Sequence, residues 1–303
     1  PSARIAARST NSRLEKWWDT TTEIHGPGNG PVVFHRMDAI MNTPASRPTL
    51  CIGILTLNEE KRIAQCIRSA HFADQILVID SGSQDQTQAL ALQAGAEVHD
   101  YPDWQGFAEQ RNRLLKHCRC DFVFFLDADE EITPALEKEI QQALSNPVDV
   151  IWEVMWDQVA YGRALSRMKT TGGVQRMFRS ASIDRFEGVV HEGAIMKAGK
   201  LPVRTFKARL LHHSRETIYG SIQKLAQYSQ LGAAKRAQKG KTGGILRGFA
   251  SGLASFIQLY IFRRGFLCGP EGFLYCLFVA LEAFFRYAML RYDREHLNKI
   301  VKR

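Results

Sequence analysis

Four carboxylates stand together in the segment FVFFLDADEEI, directly behind a nearly unbroken apolar run. They are Asp127, Asp129, Glu130 and Glu131. Two carboxylates one residue apart at a strand end can bind a hard divalent ion through oxygen, while the ion keeps positions for water and phosphate. Such an ion stabilises a departing diphosphate, so the cluster suits nucleotidyl transfer, phosphate hydrolysis or transfer from a nucleotide-activated donor. The alternative is an ordinary solvated loop after a buried strand.

The elements before the cluster alternate between short apolar runs and amphipathic stretches. We predict strands at residues 50–57, 75–80, 96–101 and 121–127, with helices between them and another after Thr133-Pro134. This alternation predicts an α/β fold with a parallel sheet and right-handed crossovers. Ligands bind at the carboxyl ends of the strands in such sheets. The polar residues at the strand ends are therefore expected on one rim: Asn58, Glu59, Asp80, Asp127 and Asp129.

The pattern changes after residue 145, where we predict extended segments at residues 150–165, 172–180 and 186–195. A helix follows at residues 219–239. We therefore expect a catalytic domain at 49–215, with an α/β half at 49–145 and a strand-rich half at 146–215. A basic helical region should occupy 216–303. Residues 1–48 lack the apolar run of a secretory signal and are expected to form a flexible extension.

The last hundred residues have a balance of +13, which exceeds the net charge of +9 of the whole chain. Residues 204–303 contain 18 Lys and Arg but five Asp and Glu, which favours an anionic partner. Two apolar stretches, 248–262 and 265–290, fall short of the roughly 20 clean apolar residues of a spanning helix. With their basic flanks they predict a monotopic element on an anionic membrane surface. The alternative is a buried helical hairpin that covers the sheet or forms a dimer interface.

Composition also bears on partners and compartment. The six cysteines include no C-x-x-C pair, so we expect reduced thiols in a cytosolic compartment rather than a zinc site. We expect no nucleic-acid partner, because the basic residues flank apolar aromatic helices and form no recognisable nucleic-acid module. The sequence does not indicate an oligomeric state.

The order of motifs ILTLNEE, ILVIDSGSQDQT, RNRLL and FVFFLDADEEI resembles glycosyltransferase family 2. This resemblance covers residues 50 to about 145 and implies the Rossmann-like GT-A fold and an inverting mechanism. The downstream pattern GGVQRMFR, FEGVVHE and LLHHS is similar to one branch, the bacterial lipopolysaccharide core glucosyltransferases that extend inner-core heptose. The long segment before the first strand departs from the family pattern.

The resemblance implies a UDP-sugar donor, a Mg²⁺ or Mn²⁺ ion and a lipid-anchored saccharide acceptor at the cytosolic face of the bacterial inner membrane. Asn58 and Glu59 would line the nucleotide pocket. Asp80 would hold the uracil or its ribose, and Asp85 would support that loop. Arg111 would approach the donor, although a surface arginine on an amphipathic helix is an alternative for it.

The same resemblance assigns the residues around the ion. Asp127 and Asp129 match the family's D-x-D element. Asp129 would ligate the metal, and Asp127 would contact the ribose or reach the ion through water. His212 would be a third metal ligand, or else a structural histidine, and Arg176 would meet the diphosphate. Glu130 and Glu131 are expected to support these groups or to be solvated.

An inverting transferase needs a carboxylate base to take the proton of the acceptor hydroxyl. Candidates after the D-x-D element are Glu153, Asp157, Glu187 and Glu192. We favour Glu192 as the catalytic base, because it follows an extended segment where the acceptor pocket should form. His191 would orient it or bind the acceptor.

Two other functions stay open from the sequence. A polyprenyl phosphate could replace the core saccharide as acceptor, although such relatives usually carry cleaner spanning helices. A catalytically silent domain could serve as a membrane-docked binding protein, but like charges kept together without an ion are costly.

Overall fold

The computed structural model of the protein describes residues 47–169, 172–188 and 193–300. The predicted extension at residues 1–48 lies almost wholly outside the described residues. Glu192 and His191 also lie outside them. Residues 46–303 form one compact unit. The catalytic and helical regions predicted from the sequence are both part of it.

The first half of the unit alternates strands and helices, as the sequence predicts. Its elements are β1 (Leu50–Thr56), α1 (Ile63–Ser69), β2 (Gln75–Asp80), α2 (Thr87–Gln93), β3 (Glu97–Asp100), α3 (Phe107–His117) and β4 (Phe122–Asp127). The strands consist largely of buried branched and aromatic residues, as expected for a sheet that is covered on both faces. Helix α1 begins only at Ile63, because residues 59–62 form a turn.

The second half is richer in strands. These are β5 (Glu130–Ile132), β6 (Ile151–Ala160), β7 (Arg163–Ala164), β8 (Val174–Arg179), β9 (Ile183–Glu187), β10 (Gly193–Met196) and β11 (Val203–Arg215). The helices are α4 (Pro134–Ser145), α5 (Ile218–Gln238), α6 (Ile245–Ile257), α7 (Gly269–Tyr292) and α8 (Arg294–Ile300). Thr133 caps α4, since its hydroxyl accepts a hydrogen bond from the backbone N–H of Leu136.

The central sheet has the strand order β3-β2-β1-β4-β8-β6-β11-β5, with β7 paired to β6. Strands β3, β2, β1 and β4 are parallel. Their register places Thr56 beside Asp80 and Leu55 beside Asp127. The predicted rim therefore exists, because β1, β2 and β4 end side by side.

Two strands were not predicted from the sequence. Strand β11 lies between β6 and β5, and it pairs His212 with Glu130 and Leu211 with Glu131. The acidic segment therefore forms a strand of its own instead of a solvated loop. The segment predicted as one extended run at 186–195 is the ribbon of β9 and β10, whose connection lies outside the described residues.

Alternate residues of β1 pack into two different hydrophobic clusters, one on each face of the sheet. Leu50, Ile52 and Ile54 belong to the cluster that includes α1 and α4. On the other face, α3 packs so closely that a Cβ on Gly53 would lie 2.5 Å from Leu114 Cδ1. Helix α3, which leads into the site, is therefore fixed against the sheet by a glycine.

The C-terminal helices form an antiparallel hairpin. Helix α6 continues through one π-helical turn, Gln258–Phe262, and a 3-10 turn at Gly265–Cys268 leads into α7. Two stretches, Ile245–Phe262 and Gly265–Tyr292, are long and apolar enough to cross a membrane by length and composition alone. By this measure neither stretch falls short of a spanning length, in contrast to the prediction. Pro270 lies in the first turn of α7 and does not interrupt the helix.

Candidate active site

A cleft of about 620 Å³ opens at the carboxyl ends of β1, β2 and β4. It brings together side chains from residues 55–129, from β11 and from α5. The lining residues are Leu55, Thr56, Leu57, Glu59, Ser81, Trp104, Phe107, Arg111, Asp127, Ala128, Asp129, His212 and Tyr228. Of the predicted site residues, Glu59, Arg111, Asp127, Asp129 and His212 thus meet in one cavity.

The loops after β1 and β2 are tied together by Asn58. Its backbone N–H donates to Ser83 Oγ at 2.8 Å, and its Oδ1 accepts from the N–H of Gln84 at 2.9 Å. Asn58 has a φ of 54°, a left-handed conformation that asparagine tolerates better than most residues. Asn58 therefore shapes the pocket by joining its two loops.

Asp80 is the last residue of β2, as predicted, and its contact with uracil or ribose stays a prediction. Its side chain is fully buried. One oxygen accepts from the N–H groups of Gly82 and Ser83 and from Gln88 Nε2, and the other accepts from Ser83 Oγ. Through these hydrogen bonds Asp80 orders the loop that follows β2.

Glu59 and Asp85 connect the same loops to helices. Arg62 donates to Glu59 Oε2 at 2.8 Å, but burial outweighs this charge and raises the pKa of Glu59. Asp85 accepts hydrogen bonds from the N–H groups of Thr87 and Glu60. Burial opposes ionisation of Asp85, but the hydrogen bonds from Thr87 and Glu60 lower its pKa. Asp85 thus supports the start of α2, outside the cleft lining.

Asp127 is held from below by a buried ion-pair network. Arg176 Nη2 donates to Asp127 Oδ2 at 2.7 Å and to Glu130 Oε1 at 2.5 Å. Glu130 Oε2 in turn accepts from the N–H of Asp127 at 3.0 Å. Arg176 and Glu130 are each 3 % exposed, but Asp127 is 44 % exposed on the cleft side.

This network sets the protonation of its members. Burial acts against the charge of Asp127, but Arg176 outweighs it and lowers the pKa of Asp127. Burial raises the pKa of Glu130 to about 7, although Arg176 acts in the opposite direction. Arg176 therefore positions an ionised Asp127 from beneath. The contact of Arg176 with the diphosphate stays a prediction, and the side chain of Arg176 is buried beside Asp127.

Asp129 faces His212 across the strand pairing of β5 and β11. His212 Nε2 lies 3.2 Å from Asp129 Oδ2, and the N–H of His213 donates to the backbone carbonyl of Asp129. Burial alone would lower the pKa of His212, but the hydrogen bond and charge of Asp129 raise it. The pKa of Asp129 is lowered, since the same contact outweighs burial.

The carboxylate oxygens of the rim fit a hard divalent cation whose remaining coordination positions are filled by substrate. Among the described residues, no group of three or more His, Cys, Asp and Glu side chains is arranged to hold a metal. Asp127 and Asp129 supply carboxylate oxygens on one rim, as Mg²⁺ and Mn²⁺ prefer when phosphate and water fill their other positions. His212 as a third ligand stays a prediction, because its Nε2 lies at hydrogen-bond distance from Asp129.

Arg111 reaches the cleft wall from the second turn of α3. It is 7 % exposed, and its guanidinium lies 4.8 Å from the ring centre of Phe125 and 5.6 Å from that of Phe186. This burial between aromatic faces rules out the alternative of a solvated surface arginine. It gives the cleft a fixed positive charge near Asp127, whose pKa it helps to lower.

Three of the four candidate bases lie away from the cleft. Asp157 accepts from Arg209 Nη1 at 2.7 Å, and Glu187 pairs with Arg185 at 2.6 Å. Glu153 accepts from Thr205 Oγ1 on the neighbouring strand. None of the three is among the residues that line the cleft. Glu192, which lies outside the described residues, stays a prediction.

The sequence reasoning missed three aromatic lining residues. Trp104 and Phe107 flank the start of α3, and Tyr228 reaches in from α5. The signal available in the sequence was the pair of aromatic residues in WQGF, directly before a helix that was predicted to approach the donor. Tyr228 carries no such signal, because only the tertiary fold brings α5 to this rim.

The chain is similar in sequence to known proteins. Residues 51–188 match the family model described as glycosyl transferase family 2. Over 253 residues, 81 % of this chain and 92 % of the relative, the sequence is 29 % identical to lipopolysaccharide core biosynthesis glycosyltransferase LpsC of Rhizobium meliloti. It is also 28 % identical over 257 residues to an uncharacterized glycosyltransferase of Rickettsia felis, covering 78 % of this chain and 88 % of that one.

Two solved structures are also similar. One is S. aureus TarS 1–349 in complex with UDP-GlcNAc, which is 17 % identical with a TM-score of 0.42, covering 56 % of this chain and 59 % of that one. The other is glucosyl-3-phosphoglycerate synthase of Mycobacterium tuberculosis in complex with Mn²⁺, UDP and glucosyl-3-phosphoglycerate. It is 25 % identical with a TM-score of 0.32 and covers 37 % of this chain and 44 % of that one.

Proposed function

We propose that this protein, whose residues 51–188 match the family model described as glycosyl transferase family 2, moves a hexose, most simply glucose, from a UDP-sugar to inner-core heptose of lipopolysaccharide. The observation that carries the proposal is the cleft in which Asp127, Asp129 and Arg111 converge. Its ordered loops suit a nucleotide, and its acidic rim suits a cation-bound diphosphate. The similarity to LpsC supports a core saccharide as the acceptor.

The donor would lie along the rim with its diphosphate near Asp129. A Mg²⁺ or Mn²⁺ ion held there by Asp129 and Asp127 would neutralise charge on the leaving diphosphate. Arg176 and Glu130 keep Asp127 ionised and in place. The buried guanidinium of Arg111 adds positive potential on the same wall, where a negative charge develops during transfer.

The transfer step needs a base opposite the leaving group. The acceptor hydroxyl oxygen bonds to the anomeric carbon as the bond from that carbon to the diphosphate oxygen breaks. The electron pair leaves with UDP, the configuration inverts, and the hydroxyl proton passes to a carboxylate. We assign that role to Glu192, because the other candidates, Glu153, Asp157 and Glu187, lie outside the cleft.

An apolar surface on the helical hairpin supports association with a membrane. Leu246, Phe249 and Phe262 are 88 %, 64 % and 71 % exposed, and only 11 % of the window Ile245–Phe262 is buried. The cations Arg263 and Arg264 follow this helix directly. An apolar face with a basic border suits a bilayer with anionic headgroups.

The packing of α7 favours a hairpin that lies in one leaflet over one that spans the bilayer. Arg163 pairs with Glu271 at the start of α7, and Arg215 pairs with Glu282 in its middle. Near its end, Leu290 packs against α5. A spanning α7 would draw these charged partners into hydrocarbon, which is expensive. Attachment at the cytosolic face also agrees with six free cysteines.

The membrane proposal is tested with vesicles that contain anionic lipid. Phe249→Asp places a charge on the exposed face of α6 and should abolish sedimentation with the vesicles. Leu92→Asp is the matched control, since Leu92 is 59 % exposed on α2 but lies outside the hairpin. Equal binding of the two variants would contradict the proposed surface.

The proposed reaction is tested by mass analysis of lipopolysaccharide from a strain that lacks the gene. The wild-type gene should restore one hexose to the core, whereas Asp129→Ala should not. Glu137→Gln, a carboxylate change on α4 away from the cleft, is the control and should restore it. Restoration by Asp129→Ala to the wild-type level would refute the assigned site.

The two long apolar stretches favour one alternative acceptor, a polyprenyl phosphate. Labelled UDP-glucose incubated with the purified enzyme should label lipopolysaccharide from the deletion strain and leave polyprenyl phosphate unlabelled. Label in the polyprenyl fraction alone would replace the proposed acceptor with that lipid.

A further inference from the structure

The cleft is lined by a pair of exposed aromatic rings that have no role in the proposed transfer step. Trp104 is 49 % exposed and Phe107 is 51 % exposed, and both line the cleft. Their ring centres lie 4.9 Å apart in an edge-to-face arrangement of 89°. Large aromatic side chains exposed in a cavity offer apolar area for a flat ligand to cover.

The loop that holds these rings is anchored. Arg113 donates to Asp103 Oδ2 at 2.6 Å and to the carbonyl oxygen of Asp103 at 3.3 Å. Arg113 is itself 6 % exposed and lies over the ring of Tyr101 at 4.7 Å. Gly106, with a φ of 105°, then makes the turn that begins α3 at Phe107. The rings are therefore presented by a fixed backbone, which lowers the entropy cost of binding a ligand.

The sheet order gives the position of the pair relative to the acidic rim. Trp104 and Phe107 follow β3, whereas Asp127 and Asp129 follow β4, and the order of strands is β3-β2-β1-β4. Three strand spacings separate the two groups by roughly 14 Å. A nucleoside diphosphate bound at the aspartates through its phosphates would extend its base along the rim towards β2 and β3.

A polar group lies between the rings and the rim. Ser81 directly follows the last residue of β2 and lines the cleft. Its Oγ accepts a hydrogen bond from Gln110 Nε2 at 2.8 Å. That contact leaves the serine O–H to act as a donor on the cleft side. A base that carries ring carbonyl groups offers the matching acceptor.

We propose that Trp104 and Phe107 form a stacking platform for the nucleobase of the donor, with Ser81 as its polar partner. This inference rests on the proposed function, because it assumes a nucleotide-activated donor. Stacking of a base on an aromatic ring changes affinity substantially and tolerates different bases. The platform thus supplies binding energy to the nucleotide, and hydrogen bonding at Ser81 favours a base that carries a ring carbonyl group.

Calorimetry with UDP in the presence of Mn²⁺ tests this role. Trp104→Ala and Phe107→Ala should each weaken UDP binding on the order of tenfold. Trp104→Phe keeps a stacking surface and should stay within about threefold of the wild type. Tyr219→Ala, which removes an aromatic side chain that is 71 % exposed outside the cleft lining, should not change the affinity. Inorganic pyrophosphate, which lacks a base, should bind wild type and Trp104→Ala equally.

The outcomes separate this inference from the proposed function. If the wild type does not bind UDP, both the proposed donor and the stacking platform are refuted. If the wild type binds UDP and Trp104→Ala binds it equally well, the platform is refuted but the transferase is not. An unchanged UDP affinity with a raised KM for the acceptor would assign the rings to the acceptor saccharide instead. Melting curves of each variant exclude loss of fold.

Discussion

Replacement of Arg176 by methionine tests the buried network beneath the aspartates. Arg176 Nη2 serves both Asp127 and Glu130, and Arg176 and Glu130 are each 3 % exposed. Methionine fills a similar volume without a charge, so the variant leaves Glu130 buried with no cation beside it. Removal of one partner from a buried ion pair costs about 3–5 kcal/mol.

This cost translates into a measurable shift of the melting temperature. For a chain of this size, each kcal/mol of destabilisation lowers the midpoint by about 2–4 °C. We therefore expect Arg176→Met to melt about 6–20 °C below the wild type at neutral pH. The double variant Arg176→Met with Glu130→Leu removes the unpaired carboxylate as well and should recover most of the loss.

The pH dependence follows from Glu130. Its pKa is raised by burial from the ordinary value of 4.5 to about 7. The folded protein therefore binds a proton that the unfolded chain releases, so this group's contribution to stability falls as the pH rises from about 4.5 through 7. Without Arg176 the pKa of Glu130 rises further. The deficit of Arg176→Met should thus be largest above pH 7 and shrink towards pH 5.

The assay is thermal unfolding at pH 5, 7 and 8.5 for the wild type, the single variant and the double variant. UDP binding by the double variant then reports whether Asp127 still holds its position. A single variant that melts within 2 °C of the wild type at pH 8.5 would refute the reasoning. A double variant no more stable than the single one would also refute it.

Three further outcomes are expected. Asp129→Asn should lower turnover at least a hundredfold, but its melting temperature should stay within a few degrees of the wild type, because the strands preform the site. Excess chelator should inactivate the wild type but not unfold it. His212→Asn should lower the free energy of unfolding by up to about 1 kcal/mol at pH 6, because Asp129 raises the pKa of His212. The stabilisation by this pair vanishes as the pH rises above that pKa, so an equal loss at pH 6 and pH 8.5 would contradict the pair. Gly53→Ala should cost about 1–3 kcal/mol in urea unfolding, since the new Cβ would lie 2.5 Å from Leu114 Cδ1, and Leu114→Ala in the same chain should remove that clash but not the cost of its own cavity.

The sequence alone determined the parallel half of the sheet and the rim. Apolar runs with helical stretches between them have one favourable arrangement, in which strand ends meet at one edge. The register confirms this, since Leu55 lies beside Asp127 and Thr56 beside Asp80. The family-level prediction followed from the same motifs, and residues 51–188 match the model of that family.

Only the tertiary structure decided how the polar groups divide between cleft and support. Asp80 and Arg176 were predicted to touch the donor, but they are buried and bonded to their neighbours. Spacing along a chain gives the position of a residue, whereas its exposure depends on which strand packs over it. Strand β11 pairs with β5 from about 80 residues away and thereby places His212 against Asp129. Such long-range pairing has no local sequence signal, because its energy comes from contacts between distant segments.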